Sequence, residues 1–248
     1  MTPPDHTRGA RTASEQDPEQ AARAVEEMFS AIAPRYDLLN HVLSMNVDRW
    51  WWWRTARRFR DLLRRDGSRV LDLCCGTGDM TFALYRQSHG AAGLVGADFS
   101  RAMLERARRK GEGKPIEWVE ADALHLPFAD ASFDLVTSAF GFRNLADYDA
   151  GLREIVRVLK SGGEVGILDF GEPRGVIGYL YRLYFKNVLP VIGAMISGVE
   201  GPYKYLPASV ERFPPLAEML ERMRAAGFSE VAYQPYTFGI AGLYWGRK

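Results

Sequence analysis

Acidic residues and glycines alternate in the run Val70-Leu-Asp-Leu-Cys-Cys-Gly-Thr-Gly-Asp79, and further acids follow at Asp98 and Asp122. An apolar run that passes through Gly76 and Gly78 into a helical pattern reads as a buried strand, a tight loop and a helix start. The two glycines reach backbone angles closed to other residues and let a ligand approach the main chain. In open parallel sheets, ligands sit beyond the carboxyl ends of the strands. A dinucleotide fingerprint would carry a third glycine three residues past the second, and Thr81 stands there. What remains is D-x-x-x-G-x-G from Asp72 to Gly78, with Asp98 twenty residues further on at the tip of the next apolar run. A carboxylate there can accept both hydroxyls of a ribose. With no pyrophosphate to seat, the pairing points to S-adenosyl-L-methionine, whose nucleoside end needs ribose and adenine contacts alone. A structural turn and a nicotinamide site are the competing readings.

The stretch Glu120-Ala-Asp122-Ala-Leu-His-Leu-Pro-Phe closes another apolar run. The Asp122 carboxylate suits an adenine amino group, and the Ala123 amide suits a ring nitrogen. An aspartate capping a short turn is the plainer reading, and the two are compatible. His125, alone beside Leu-Pro-Phe, is expected to be a satisfied packing residue.

These residues need a sheet to position them. From Arg69 onward apolar runs alternate with helical patterns, which argues for a parallel sheet. Strands are expected at Arg69–Leu73, Gly93–Asp98, Ile116–Glu120, Phe133–Ser138 and Gly163–Phe170, with helices at Met80–Gln87, Arg101–Lys110 and Asp147–Leu159. Lys160-Ser-Gly-Gly looks like a basic last turn with a glycine cap. After Pro173 the rhythm breaks for some 40 residues. It resumes as a helix at Leu216–Ala226 and strands at Glu230–Tyr236 and Phe238–Gly246. Residues 1–18 read as a disordered polar tail. Residues 19–248 read as one domain, with a helical cover at 19–66 and a lid insertion at 174–210.

The 248 residues carry a net charge of +1, which lacks the basic excess of a nucleic-acid binder. Two cysteines, adjacent at Cys74 and Cys75, give neither a disulfide framework nor metal-ligand spacing, so no metal is expected and a reducing cytosol is the expected compartment. Both fit as small buried hydrophobes.

Several stretches together resemble the UbiE/MenG family, the C-methyltransferases of ubiquinone and menaquinone biosynthesis. They are MFSAIAPRYDLLNHVLS, VLDLCCGTGDMT, ADALHLPFADASFDLVTSAFGFRNLADYDAGLREIVRVLKSGG and GPYKYLPASVERFPP. The glycine loop is common to many methyltransferases. Ala-x-Arg-Tyr-Asp at 33–37, Phe140-Gly-Phe-Arg-Asn144 and Tyr203-Lys-Tyr-Leu206 are more specific. The resemblance implies a class I S-adenosylmethionine-dependent methyltransferase fold, Rossmann-like, with a mostly parallel seven-stranded sheet and helices on both faces. Carried over position by position, it implies cofactor contacts from Asp72, Gly76, Thr77, Gly78, Asp98, Phe99, Asp122, Ala123 and Ser138. The family often has asparagine where Asp122 stands; the acceptor for the adenine amino group is kept.

The implied reaction moves a methyl group from a sulfonium to a ring carbon of a polyprenyl quinol. Carbon is a poor nucleophile, so the quinol oxygen must push electrons into the ring as its proton is lost or shared. Arg143 suits stabilisation of the developing phenolate, and Asn144 could hold a quinol oxygen or the methionine end of the cofactor. A salt bridge from Arg143 to Asp147 is the competing reading. The base is not readable: Asp37 and His125 are weighed, and Tyr36, His41, Trp51, Tyr203 and Tyr205 are carried as residues that could face the substrate. The adjacent cysteines lean the acceptor toward demethylmenaquinone over the 2-methoxy-6-polyprenyl-1,4-benzoquinol of the ubiquinone pathway. A nicotinamide-dependent oxidoreductase and a non-catalytic adenosyl-binding partner are the other classes. Assembly as a homodimer stays open.

Four tryptophans, Trp50 to Trp53, open a helix expected over Asp48–Arg65. On its wheel Trp52, Ala56, Phe59 and Leu63 form a core stripe, and Trp51 borders the quinol pocket. Trp50 and Trp53 lie among arginines, which suits either an anionic membrane interface or cation–π packing on the protein's own surface. The insertion at 176–199 carries Arg182, Lys186, Asn187 and Pro190 in its middle, which argues against a spanning helix. It reads as a lid on the sheet, a tunnel wall for the prenyl tail that touches the inner face of the cell membrane, or both.

Overall fold

The computed structural model describes Ser30, residues 44–171, Pro173, Gly175, Gly178, Leu183 and residues 209–248. The tail, the first part of the cover apart from Ser30, and nearly all of the insertion lie outside the described residues.

Seven strands form one sheet: β1 (Arg69–Leu73), β2 (Gly93–Asp98), β3 (Ile116–Glu120), β4 (Phe133–Ala139), β5 (Leu159–Phe170), β6 (Glu230–Tyr236) and β7 (Ala241–Arg247), in the order β3-β2-β1-β4-β5-β7-β6. The first five are parallel; β7 runs antiparallel between β5 and β6. The chain leaves β1 toward β2 on one side and reaches β4 on the other, which makes the β1–β4 boundary the switch point where such sheets bind ligands.

The central strands are apolar on both faces because both faces are covered. On one face Leu71, Leu73, Val136 and Ile167 pack with α5 (Tyr148–Val158) and α6 (Leu216–Ala226). On the other, Val70, Leu94, Leu135 and Leu168 meet α1 (Val47–Arg58), α2 (Arg60–Leu63) and α3 (Asp79–Ser88). Between β2 and β3, α4 (Arg101–Lys110) starts on a Ser100 side chain that accepts the Met103 N–H. Asp147 caps α5 in the same way through Ala150 N–H at 2.9 Å.

Three boundaries differ from expectation by more than one residue. The tryptophan helix breaks at Phe59, whose backbone leaves helical angles between α1 and α2. Its ring packs against β5 at Gly166, where a Cβ would lie 2.5 Å from it. The wheel is otherwise followed, since Trp52, Ala56, Phe59 and Leu63 are all buried. Lys160-Ser-Gly-Gly is not a helix cap. The carbonyls of Arg157 and Val158 accept from Ala131 and Ser132, and the chain enters β5 directly. The four residues bulge from the ladder, whose pairing jumps from Phe133–Leu159 to Leu135–Glu164. Finally, β7 begins at Ala241, because Thr237–Gly239 form a 3-10 turn with Thr237 and Phe238 at positive φ. Phe59→Ala is expected to cost about 3–5 kcal/mol in urea unfolding; a loss below about 1 kcal/mol would show that this contact does not fasten the helices to the sheet.

Candidate functional site

Five chain segments meet at the carboxyl edge of the parallel strands. After β1 the chain passes through Cys74, Gly76 and Gly78 at φ 54°, 55° and 89°. Cys75 N–H bonds the Ala97 carbonyl at 3.0 Å, which ties this loop to β2. Gly76 N–H then donates to Asp98 Oδ2 at 2.8 Å, and Ser100 N–H donates to Asp98 Oδ1 at 2.9 Å. Asp98 is buried. A carboxylate oxygen can accept more than one hydrogen bond.

The two glycines differ in purpose. A Cβ on Gly78 would lie 2.7 Å from the Trp118 ring and 3.1 Å from Phe82. Both the left-handed angle and the packed indole require glycine there. Thr77 is buried, and its hydroxyl accepts from Lys110 Nζ at 3.1 Å while that ammonium pairs with Asp79 at 2.8 Å. Lys110 comes from the far end of α4, and no local pattern announces it.

Beyond β3, Asp122 caps its own turn by accepting Leu124 N–H at 2.9 Å, while Ala123 is buried behind it. His125 is not a packing residue: its side chain is exposed and its Nδ1 meets Asp122 Oδ2 at 3.0 Å. The hydrogen bond and the charge of Asp122 raise its pKa. The neighbouring leucine and proline had suggested burial, but Leu126 turns inward and His125 outward. Phe99, half-buried, follows Asp98. Near the end of β4, Ser138 is buried beside the Cys74 thiol, and its Oγ finds no oxygen or nitrogen partner among the described residues. A buried hydroxyl at a ligand edge in this state fits a polar group arriving from outside. Both cysteines are free thiols. Burial, and next the charge of Asp98, push their pKa values up; Cys75 is buried, and Cys74 half-buried.

The acceptor side begins where β4 ends. Phe140 takes φ 57° and leads into a 3-10 turn at Phe142–Asn144. The Arg143 guanidinium is buried and pairs with Asp169 on β5 at 3.1 Å, not with Asp147. Asp147 is spent on capping α5, whereas Asp169 faces Arg143 across the strand ends. Arg143 also donates to the Phe140 carbonyl and, through Nε, to Ser209 Oγ at 3.3 Å. Burial lifts the Asp169 carboxyl above the usual carboxylate range against the opposing pull of Arg143. Phe170 lies 5.2 Å from the guanidinium and 4.7 Å from the Phe140 ring. Trp51 joins this cluster 5.6 Å from Phe140 and donates its indole N–H to Thr237 at 2.8 Å. Asp169, Phe140 and Phe170 were missed as site residues: the first and last read as strand, and the family-specific run around Arg143 was the one signal for Phe140. Asn144, half-buried, sits at the end of the turn. Tyr36, His41, Tyr203 and Tyr205 lie outside the described residues, as does Asp37. Among the described residues no cluster of histidine, cysteine, aspartate or glutamate could hold a metal ion.

Asp72 lies one layer deeper, fully buried, accepting from Thr81 Oγ1 at 2.5 Å and Thr137 Oγ1 at 2.8 Å. It therefore ties the helix after the loop to the neighbouring strand. Burial pushes its pKa from 3.8 up to about 7 despite the two hydroxyl donors. A carboxyl raised on folding gives its full stabilisation below the unfolded pKa and loses it as pH climbs through the folded one. Asp72→Asn is thus expected to gain roughly 2–4 kcal/mol relative to wild type between pH 4 and 7 in urea titrations; a pH-independent difference would show that Asp72 does not titrate in this window.

The sequence profile of the ubiE/COQ5 methyltransferase family matches residues 15–248. The demethylmenaquinone methyltransferase of Thermus thermophilus is 51% identical over 225 residues, covering 89% of this chain and 100% of that protein. The ubiquinone/menaquinone biosynthesis C-methyltransferase UbiE of Geobacter sulfurreducens is 44% identical, covering 90% and 88%. Among solved structures, a SAM-dependent methyltransferase from Aquifex aeolicus superposes with a TM-score of 0.57 at 17% identity, over 78% of this chain and 88% of that one, a likeness of fold alone. The sheet order, the glycine turn clamped by Asp98 and the match along nearly the whole chain lead to one conclusion: this chain belongs to the ubiE/COQ5 methyltransferase family.

Proposed function

We propose that this chain is an S-adenosyl-L-methionine-dependent C-methyltransferase whose acceptor is demethylmenaquinol, the reduced ring of a prenylated naphthoquinone. The observation that carries the reading is the near-complete match to relatives named for that reaction, at 51% and 48% identity in Thermus thermophilus and Deinococcus radiodurans. The residues at the strand ends fit the cofactor: the Asp98 carboxylate for ribose hydroxyls, the Asp122 carboxylate as acceptor and the Ala123 amide as donor for the adenine edge, and the buried Ser138 hydroxyl, which has no oxygen or nitrogen partner among the described residues. When bound, the cofactor supplies an electrophilic methyl group on a sulfonium.

The protein's own part is binding, orientation and charge. Gly76 and Thr77 present the loop backbone beside Asp98, and Phe99 flanks it. At the other end Asp169 and Ser209 fix the plane of the Arg143 guanidinium. A fixed cation there stabilises the oxyanion that forms as a quinol hydroxyl gives up its proton and the ring carbon becomes nucleophilic. Asn144 offers an amide for a second oxygen, and Phe140, Phe170 and Trp51 give a flat ring an apolar wall. Tyr36, His41, Tyr203 and Tyr205 stay proposals for the substrate side.

Comparing short-tailed demethylmenaquinol with 2-methoxy-1,4-benzoquinol acceptors tests the reading. A higher kcat/KM on the naphthoquinol supports it, and preference for the benzoquinol would move the chain to the ubiquinone pathway. Asp98→Ala should weaken cofactor binding at least about hundredfold in calorimetry, since two charge-assisted hydrogen bonds go; near-normal affinity would remove Asp98 from the site. Arg143→Lys should leave cofactor affinity within about threefold and lower kcat about 100- to 1,000-fold, because an ammonium cannot reproduce the guanidinium's fixed geometry. Wild-type turnover in that variant would take Arg143 out of the mechanism.

A further inference from the structure

The structure leaves large apolar side chains exposed where the active edge meets α1. Met45 is 76% exposed, Trp50 41%, Trp53 43% and Phe238 77%, which places four of the six large exposed hydrophobics among the described residues on α1, its leading turn and the Thr237–Gly239 turn. The two elements are joined: Trp51 donates to Thr237, and the Trp50 ring lies 5.7 Å from Tyr236. We propose that this joint face is a docking surface for an anionic phospholipid bilayer, which the protein touches without crossing.

Charge selects the partner. Residues 47–66 hold seven arginines against three aspartates, one of which, Asp48, is buried. Trp50, Trp53, Arg54 and Arg57 share one helical stripe, with Arg54 5.2 Å from the Trp50 ring and Arg57 5.2 Å from the Trp53 ring. An indole carrying a guanidinium suits the headgroup layer, where the ring meets acyl chain and the cation meets phosphate. Cation–π packing within the protein accounts for the arginines but not for Phe238, held at φ 58° with its ring in solvent. A second copy docked face to face would oppose two arginine-rich helices.

Position selects the purpose. β7 starts at Ala241 opposite Phe170, so the Phe238 turn stands at the same sheet edge as Arg143 and Asp169. A bilayer on this face lies beside the acceptor side of the site, which matters because the proposed acceptor is a membrane lipid; that clause rests on the proposed function. No helix among the described residues is long and apolar enough to cross a membrane.

The full-length chain is co-sedimented with quinone-free vesicles of phosphatidylcholine, alone or with a quarter of phosphatidylglycerol. Binding to the anionic vesicles is expected, with little to the neutral ones. Trp50→Ser/Trp53→Ser and, separately, Phe238→Ser should each lower it by about tenfold or more. Both variants should remain folded by circular dichroism, and their turnover of a water-soluble short-tailed quinol should match wild type, which separates this surface from the reading of function. Absence of wild-type binding, equal binding to neutral vesicles, or undiminished binding by both variants would overturn the proposal. So would a wild-type dimer, by light scattering, that the variants break.

Discussion

Asp98 holds together the two strand ends on which everything else at the site depends. One carboxylate oxygen fastens the glycine turn after β1 through Gly76, and the other fastens the start of α4 through Ser100. The loop with left-handed angles at Cys74, Gly76 and Gly78 is thereby tied to the end of β2. The same buried charge acts at a distance, adding to the burial that keeps Asp72 and both cysteine thiols protonated more readily than usual. A carboxylate that clamps the backbone is also preorganised to receive hydroxyl donors.

The acceptor end is built on a different principle. Arg143 and Asp169 are a buried ion pair, expensive to desolvate and made tolerable by the Phe140 carbonyl and Ser209. What such a pair gives is direction: the guanidinium cannot turn away without abandoning Asp169. Along the carboxyl edge the sheet order runs from Asp122 through Asp98 and the glycine turn to Ser138, Arg143 and Asp169. A long ligand laid on that edge would span from Asp122 at one end to Arg143 at the other. Parallel topology fixes the spacing of those contacts.

Much of this was legible because its cause is local. The βα rhythm, the turn at Gly76, the acid at the tip of β2 and the buried stripe of α1 each follow from neighbours in sequence or from a short period. The missed features have distant causes. The crowding of Gly78 comes from Trp118, forty residues away, and Asp169 reads as strand until β5 brings it opposite Arg143. Lys110 reaches Thr77 from the end of another helix. His125 was misjudged because two apolar neighbours say nothing about which way a residue in a turn faces. Lys160-Ser-Gly-Gly misled for a related reason: its helix-end carbonyls are satisfied by Ala131 and Ser132 from another part of the chain.

The central claim is that a cofactor held by Asp98 and an acceptor held near Arg143 meet so that a ring carbon receives the methyl group. The most direct test gives the full-length protein S-adenosyl-L-methionine with a carbon-13 methyl and a short-tailed demethylmenaquinol, and locates the label in the product by NMR. The account predicts a single labelled methyl on the ring carbon. Label on a quinol oxygen, or no transfer from a cofactor that calorimetry shows to be bound, would contradict it.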